Sequence, residues 1–201
     1  MKKLDKTKEP QYQRFFEVRR DYGVTKFGLS SNQSWHDDPK HLLFVLARYK
    51  FAAKMLSGRN RVLEVGCGDA FYSRLVLQEV GELTVIDFDP LFIKDAESRM
   101  DKKWKMKAKV HDILKKPVPG RFDGIYSLDV LEHIPDYHIV LGYLIDHLEI
   151  GGLIIEQSPF EEDAAAKEID IHLKAKVPLE EAMKGMKKIE RNIWKKVGDR
   201  N

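Results

Sequence analysis

Apolar residues in the first part of the chain recur at the spacing of an amphipathic helix. Asp38 and Pro39 stand where a helix N-cap and its first helical residue belong, and Gly58 ends the pattern. The aromatic-rich stretch ahead of Asp38, 12–35, contains glycines and the polar run SSNQS, so it predicts a short helix and a long ordered loop. The helical apolar positions are Leu42, Leu46, Tyr49, Ala53 and Leu56.

From residue 61 onward, short apolar runs alternate with helical stretches. This alternation is typical of an α/β fold in which helices cover both faces of a doubly wound, mostly parallel sheet. The predicted helices lie near 71–80, 90–100 and 137–148. The predicted strands are 61–65, 83–87, 105–110, 122–127 and 153–157.

The alternation weakens after residue 157. An acidic run at 159–170 and a lysine-rich amphipathic stretch at 178–197 contain no clear strand, so we expect a helical C-terminal tail. We therefore expect a single domain over 1–201. It comprises an N-terminal cap with the first helix, 1–58, a cofactor-binding core, 59–160, and the tail, 161–201.

Composition narrows the class of protein. The chain has 201 residues, 43% of them hydrophobic, and a net charge of only +3, so it carries no strong signal for nucleic acid. No apolar run approaches the roughly 20 residues that span a bilayer, so we expect no membrane insertion. Cys67 is the only cysteine, which excludes an intramolecular disulfide and favours a reducing, cytoplasmic location.

A glycine-rich segment follows the first predicted strand. Gly66 and Gly68 allow the backbone to turn and approach a ligand closely, at the place where doubly wound sheets bind ligands. Dinucleotide-binding loops have a third small residue where this chain has Phe71, which argues against NAD. Glu64 would sit poorly beside a pyrophosphate but can hold an ammonium group, so the loop favours a cationic, amino-acid-like cofactor.

Acidic residues also follow the second and third predicted strands. Asp87 ends the strand in TVIDFDP and Asp112 lies in VHDIL. Each acid alone would be interpreted as a solvated strand end, but the carboxyl ends of parallel strands converge on one crevice. Together with the ExGxG segment, these acids make 61–157 resemble the class I S-adenosylmethionine-dependent methyltransferases, which have a Rossmann-like sheet.

The resemblance implies S-adenosylmethionine as cofactor and S-adenosylhomocysteine as product. It implies that Asp87 binds the ribose hydroxyls, with Asp89 as the alternative, and that Asp112 contacts the adenine amino group. The other cofactor-binding residues that it implies are Glu64, Gly66, Cys67 and Gly68 of the loop, Phe88 and Ile113 beside the adenine, and Leu128 at the methyl end.

The segment 122–136, FDGIYSLDVLEHIPD, resembles the fourth motif of the same family. Its Asp129, Glu132 and His133 are similar to the acidic-x-x-Glu-His run of the quinone-biosynthesis O-methyltransferases, with Asp in place of their first Glu. His133 could act as a general base. The alternatives are a helix-end histidine or, less favoured, a divalent cation bound by these three residues.

These observations predict methyl transfer to an oxygen or nitrogen atom of a small-molecule acceptor. The alternatives are a nucleotide-dependent oxidoreductase or epimerase on a related fold, and a non-catalytic protein that binds the cofactor. The family commonly adds an antiparallel strand pair after strand five. Either 187–197 forms an unrecognised edge element or a homodimer covers the open edge. Trp35 is interpreted either as part of a lid over the cofactor or as an anchor of its loop.

Overall fold

The computed structural model describes residues 6–157, 186–190 and 193–197, and its centre is one seven-stranded sheet. The strand order is β3-β2-β1-β4-β5-β7-β6, with β1 to β5 parallel and β7 antiparallel to both of its neighbours. The strands are β1 Arg61–Val65, β2 Glu82–Asp87, β3 Lys107–Val110, β4 Phe122–Leu128, β5 Leu148–Gln157, β6 Met186–Glu190 and β7 Ile193–Lys196.

Six α-helices are described around the sheet. The N-cap prediction for the third helix is confirmed, because the Asp38 side chain accepts a hydrogen bond from the Lys40 backbone N–H at 3.1 Å. The helices are α1 Gln13–Tyr22, α2 Leu29–Asp37, α3 Pro39–Met55, α4 Ser73–Leu77, α5 Pro90–Arg99 and α6 Tyr137–His147, and short 3-10 turns lie at Pro10–Tyr12 and Leu131–His133.

Two hydrophobic clusters cover the two faces of the sheet. Successive residues of β1 point to opposite faces, so Val62 joins the cluster under α3, α4 and α5, while Leu63 joins the cluster under α6. All five predicted core strands are present, and four of their ten ends are shifted, the largest shift being the earlier start of β5. The doubly wound, mostly parallel α/β architecture is therefore confirmed.

The expectation of a helical tail is wrong at its described end. Residues 186–190 and 193–196 form two antiparallel strands, and β7 pairs with β5. Trp194 is buried and Lys195 is exposed, but Lys196 is buried as well, with its Nζ donating to the Ile145 carbonyl oxygen at 3.0 Å. A buried lysine hides the two-residue period by which strands are recognised. The acidic run at 159–170 lies outside the described residues.

The edge of β5 is covered by the same chain. Because β7 occupies that edge, the open edge that suggested a homodimer is absent. A second difference concerns the N-terminal cap, where the expected ordered loop includes the helix α2. Within 6–157, 186–190 and 193–197, no helix is both long and apolar enough to cross a bilayer.

Candidate functional site

A cavity of about 570 Å³ opens where the parallel strands β1, β2 and β4 end. This is the position at which doubly wound sheets bind ligands, and the volume suits a cofactor-sized molecule. Most of the residues singled out from the sequence line it. They are Gly66, Gly68, Asp87, Phe88, Asp112, Ile113, Asp129 and His133.

The glycine-rich loop forms one wall of the cavity as bare backbone. The backbone N–H groups of Gly66 and Cys67 both donate to the Ile86 carbonyl oxygen, at 2.9 and 3.0 Å, which binds the turn to β2. Gly66 has φ +73°, and a Cβ there would lie 2.4 Å from a methyl carbon of Val130. Neither the backbone conformation nor the space at Gly66 suits a residue with a side chain.

Asp87 stands at the end of β2 beside this loop. Its Oδ2 accepts from the Gly68 backbone N–H at 2.9 Å, and its Oδ1 accepts from that of Asp89 at 3.0 Å. An ionised carboxylate offers about four acceptor positions, so each oxygen keeps capacity for a ligand. Asp89 instead caps α5, where it accepts from the Leu91 N–H at 2.8 Å. Of the two acids, Asp87 is the one that lines the cavity.

Asp112 and two apolar residues form the opposite wall. The Asp112 carboxylate accepts from the Leu114 backbone N–H at 3.1 Å and pairs with the Lys115 ammonium at 3.1 Å. The Lys115 hydrogen bond lowers the pKa of Asp112, so this group is ionised near neutral pH. Ile113 is buried in the core, whereas Phe88 is 73% exposed, so an apolar surface is available beside the carboxylate.

Three predicted cofactor residues do not line the cavity. Glu64, Cys67 and Leu128 pack on the other face of the sheet, with the cluster that contacts α3. None of these three side chains reaches the cavity, so their assignment to the cofactor site stays a prediction from the resemblance. Burial raises the pKa of the Cys67 thiol, which keeps it protonated and chemically inert.

Glu64 is held entirely within the protein. It is only 1% exposed, and its two oxygens accept from the hydroxyls of Tyr49 and Tyr126, each at 2.6 Å. Burial raises the pKa of Glu64 to about 7, against the opposing effect of the nearby hydroxyls of Ser73, Tyr126 and Tyr49.

The loop after β4 brings Asp129 and His133 to the rim of the cavity. Asp129 has φ +55°, its N–H donates to the Gln157 carbonyl oxygen at 2.9 Å, and its carboxylate pairs with Arg48 of α3. The His133 side chain is 74% exposed, and its Nε2 lies 4.0 Å from Glu132 Oε1. An exposed imidazole at the rim can exchange protons with solvent.

The less favoured metal interpretation finds no support here. Over the described part of the chain, no three His, Cys, Asp or Glu side chains are grouped so that they could share an ion. Asp129 is paired with Arg48, and Glu132 is buried beneath the rim rather than directed into the cavity with His133. The three residues are neighbours in sequence without forming a ligand set.

Sequence reasoning missed Asp69, which joins the loop to the N-terminal cap. The carboxylate is 1% exposed, and its Oδ2 accepts from Ser30 Oγ, Ser31 N and Ser31 Oγ at 2.8, 2.9 and 3.0 Å. Its Oδ1 accepts from the Phe71 N–H at 2.9 Å. The carboxylate thus binds the N-terminus of α2, where a negative charge is favoured. Its partners lie almost 40 residues away, so no local pattern marks it.

Trp35 lies on α2 and does not line the cavity. Its ring stacks on Phe27 with centroids 5.8 Å apart, and Phe27 contacts Phe71 at 5.2 Å. Phe71 directly follows the glycine-rich loop, so this aromatic row supports the loop from outside. The geometry favours the anchor over the lid for Trp35.

The comparisons with known proteins agree with one another. A family model described as a methyltransferase domain matches residues 35–184. A ubiquinone biosynthesis O-methyltransferase of Xanthomonas campestris pv. campestris is 29% identical over 140 residues, 65% of this chain and 58% of the relative. The same-named protein of Xylella fastidiosa is 30% identical over 151 residues, 70% of this chain and 60% of the relative. This chain thus spans less than two thirds of the length of these relatives.

Solved structures show the same fold. The N-methyltransferase NodS from Bradyrhizobium japonicum WM9 superposes with a TM-score of 0.64 at 19% identity, covering 80% of this chain and 98% of that one. NodS in complex with S-adenosyl-L-homocysteine gives a TM-score of 0.62 at 22% identity, covering 77% and 82%. At these identities the likeness extends to the fold alone.

Proposed function

Because the chain belongs to the methyltransferase domain family, of the class I S-adenosylmethionine-dependent type, we propose that it methylates an oxygen or nitrogen atom of a small-molecule acceptor. The observation that carries this proposal is the convergence of a side-chain-free loop and two carboxylates on one cavity. Gly66 and Gly68, Asp87 and Asp112 come from three different strand ends. A chance set of surface acids would not converge in this way.

Each of these cavity residues has a proposed role toward the cofactor. We propose that Asp87 accepts hydrogen bonds from the ribose hydroxyls, since it lines the cavity and retains acceptor capacity. Asp112 would accept from the adenine amino group, with Phe88 and Ile113 packing beside the ring. The Gly66–Gly68 backbone would lie against the amino-acid portion, where no side chain interferes.

When bound, S-adenosylmethionine supplies a methyl group on a positively charged sulfur and needs no covalent help from the protein. The chain's residues therefore have to align the acceptor and remove its proton. His133 is the proposed base, because it lines the cavity and its imidazole would accept the hydroxyl proton of the acceptor during methyl transfer. Asp129 and Glu132 would hold the loop that carries His133 in place at the rim of the cavity.

An oxygen acceptor is the first candidate. The curated relatives that match at 29% to 30% identity are named ubiquinone biosynthesis O-methyltransferases, and they support an oxygen acceptor. An amine acceptor is the alternative. A non-catalytic binding protein is a third possibility, which only turnover separates from the first two.

The decisive experiment identifies the ligand. Purified protein is denatured, and any co-purified nucleoside is identified by mass spectrometry; calorimetric titrations with S-adenosylhomocysteine and NAD follow. We expect the sulfur nucleoside in the extract and binding of S-adenosylhomocysteine alone. Binding of NAD without the sulfur compound would instead support the oxidoreductase.

The acceptor is sought with a panel of phenols and amines and a labelled methyl donor. With the active acceptor, the His133→Ala variant should lower kcat about 100-fold while leaving the cofactor Kd unchanged, because general bases contribute about that much. Equal activity of variant and wild type would remove His133 from the mechanism.

A further inference from the structure

A buried polar cluster lies directly behind the glycine-rich loop and outside the cavity. It consists of Glu64 on β1, Tyr49 on α3 and Tyr126 on β4, and we call it the Glu64 cluster. Both tyrosine hydroxyls donate to the carboxylate at 2.6 Å, and none of the three side chains reaches the cavity. The proposed cofactor contacts do not use this cluster.

The cluster joins three elements at one point. Glu64 is two residues before Gly66, so whatever fixes Glu64 also fixes the start of the loop. Tyr126 belongs to the neighbouring parallel strand, with Glu64 and Tyr126 in register. Tyr49 comes from the helix that follows the N-terminal cap. The rings of Tyr49 and Tyr126 also contact each other, edge to face, with centroids 6.2 Å apart.

A carboxylate at this position is expensive for the fold. Removing a charge from water costs several kcal/mol, and an apolar side chain of similar size would pack between the same neighbours at lower cost. Short hydrogen bonds to an ionised group are strong and directional. A cluster of this kind therefore specifies one arrangement of strand, helix and loop. An apolar contact is not directional and does not specify one.

We propose that Glu64 is a positioning residue: held by Tyr49 and Tyr126, it fixes the Gly66–Ala70 loop for the cofactor without touching the cofactor. This inference rests on the proposed function, since the loop needs a cofactor to position. It replaces the expectation that Glu64 binds the ammonium group, because the carboxylate faces α3, is buried and does not line the cavity.

Positioning of this kind has a pH signature. The groups that face Glu64 are the hydroxyls of Ser73 from α4, Tyr49 from α3 and Tyr126 from β4, together with Cys67 and Asp69 from the loop. The two tyrosines and the thiol stay protonated in the neutral range because burial raises their pKa values. Glu64, with a pKa raised to about 7, is therefore the group that titrates in this cluster. The ionised form accepts both hydroxyls more strongly than the protonated form, in which one oxygen carries a hydrogen, so cofactor affinity should rise with pH through neutrality.

The test compares two ligands on the full chain. S-Adenosylhomocysteine carries the amino-acid portion, whereas 5′-methylthioadenosine keeps the nucleoside and the sulfur but lacks that portion. The loop bears on both parts of the cofactor, because its backbone would lie against the amino-acid portion and its Gly68 N–H holds Asp87, the proposed ribose ligand. In the Glu64→Gln variant, we therefore expect Kd to rise about tenfold for both ligands by calorimetry. A rise confined to S-adenosylhomocysteine would mean that Glu64 contacts the ammonium group, and would overturn the proposal.

Further variants separate positioning from general damage. Tyr49→Phe removes one hydroxyl but keeps the ring, so it should lower the affinity for both ligands by a similar factor. Glu156→Gln is the matched control, because Glu156 is equally buried on β5, and it should leave both affinities within about twofold of wild type. The wild-type rise in affinity between about pH 6 and about pH 8 should be absent in Glu64→Gln. A retained rise would overturn the proposal, even if Glu64→Gln proved poorly stable.

The two proposals fail in different ways. If the wild-type chain binds neither nucleoside, the proposed function fails. If the wild type binds both and the Glu64→Gln variant binds them equally well at about pH 8, the positioning role fails while the function stands.

Discussion

The side chain of Asp87 serves the loop and the cavity together. It accepts from two backbone N–H groups and faces the proposed ribose site. In Asp87→Asn one acceptor oxygen becomes a donor, and hydrogen bonds to a charged group contribute about 1.5 to 3 kcal/mol. Calorimetry should therefore show a ten- to hundredfold loss of S-adenosylhomocysteine affinity. Denaturation without ligand should show a lower free energy of unfolding.

Asp89→Asn is the matched control two residues away. Asp89 caps α5, and Asn caps helices as well as Asp does, so stability and affinity should both stay near wild type. If Asp89→Asn weakened binding and Asp87→Asn did not, the ribose would be held by Asp89.

Replacing Gly66 should weaken cofactor binding for a different reason, a steric clash combined with an unfavourable backbone conformation. In Gly66→Ala the new methyl group meets Val130, and the backbone keeps an unfavourable φ of +73°. Gly58 has a similar φ of +78° but nothing within 4 Å of its Cβ position. Gly58→Ala should therefore cost about 1 to 2 kcal/mol of stability and no affinity, whereas Gly66→Ala should cost at least tenfold in Kd. Val130→Ala should recover part of that loss, and no recovery would exclude the steric explanation.

Glu64 makes stability depend on pH in a defined direction. Its pKa in the folded protein is about 7, above the ordinary 4.5, so the folded state binds the proton more tightly. The stabilisation is complete below about pH 4.5 and is lost as pH rises through about 7. It amounts to about 3 kcal/mol. Urea denaturation at pH 5 and pH 8 tests this expectation. Between the two pH values, the free energy of unfolding should fall more in the wild type than in Glu64→Gln. Parallel pH profiles for the two proteins would contradict the pKa shift.

The geometry of parallel strands explains which site residues could be predicted from the sequence. Parallel strands end at one edge, so the sequence correctly brings Asp87 and Asp112 to the same cavity. It cannot tell which face of the sheet a side chain occupies when both faces are buried and apolar. Glu64 and Leu128, predicted as cofactor residues, therefore lie on the face away from the cavity, as does Cys67 in the loop.

Among the helices, α2 depends on the loop for its N-terminal anchor. Asp69 accepts three hydrogen bonds from Ser30 and Ser31 through one oxygen, and a Cβ at Gly28 would lie 2.4 Å from the same carboxylate. Asp69→Asn places a donor among these donors, so α2 should detach locally. Hydrogen exchange of amides 29–37 should accelerate at least tenfold, since the lost contacts amount to about 1.5 to 3 kcal/mol.

Asp21→Asn is the control for Asp69→Asn, because Asp21 pairs with Arg20 on the exposed surface of α1. Exposed ion pairs contribute little, so exchange in α2 should not change. Protection of α2 that survives Asp69→Asn would show that packing alone holds the helix.

The strands β6 and β7 show why element type at the end of the chain was mispredicted. Local pattern identifies α3 through its cap and apolar stripe, and the structure confirms it. The lysine-rich pattern at 186–196 is compatible with a helix, and only pairing with β5 makes it a strand pair. Such pairing joins residues far apart in sequence, so it leaves no local signal.

Over the whole molecule, Trp194 links the last strand to the main core. It is buried against the cluster under α6, so Trp194→Ala should lower the free energy of unfolding by about 3 to 5 kcal/mol in urea denaturation. Trp35→Ala provides the control, since Trp35 is 51% exposed and should cost about 1 kcal/mol or less. Equal losses for the two variants would mean that β7 adds little to the fold.

The position of β7 also has a consequence while the ribosome is still making the chain. More than thirty residues separate the end of β5 from the start of β7. At about 5 to 20 residues per second, synthesis of that stretch takes roughly 2 to 7 s. Throughout this interval the edge of β5 at Leu153, Ile154 and Ile155 has not yet met β7, the strand that pairs with it in the folded chain. The nascent chain thus has an unpaired strand edge that can associate with other chains. We therefore expect the yield of folded protein in the cell to depend on chaperones that shield this edge until β7 emerges.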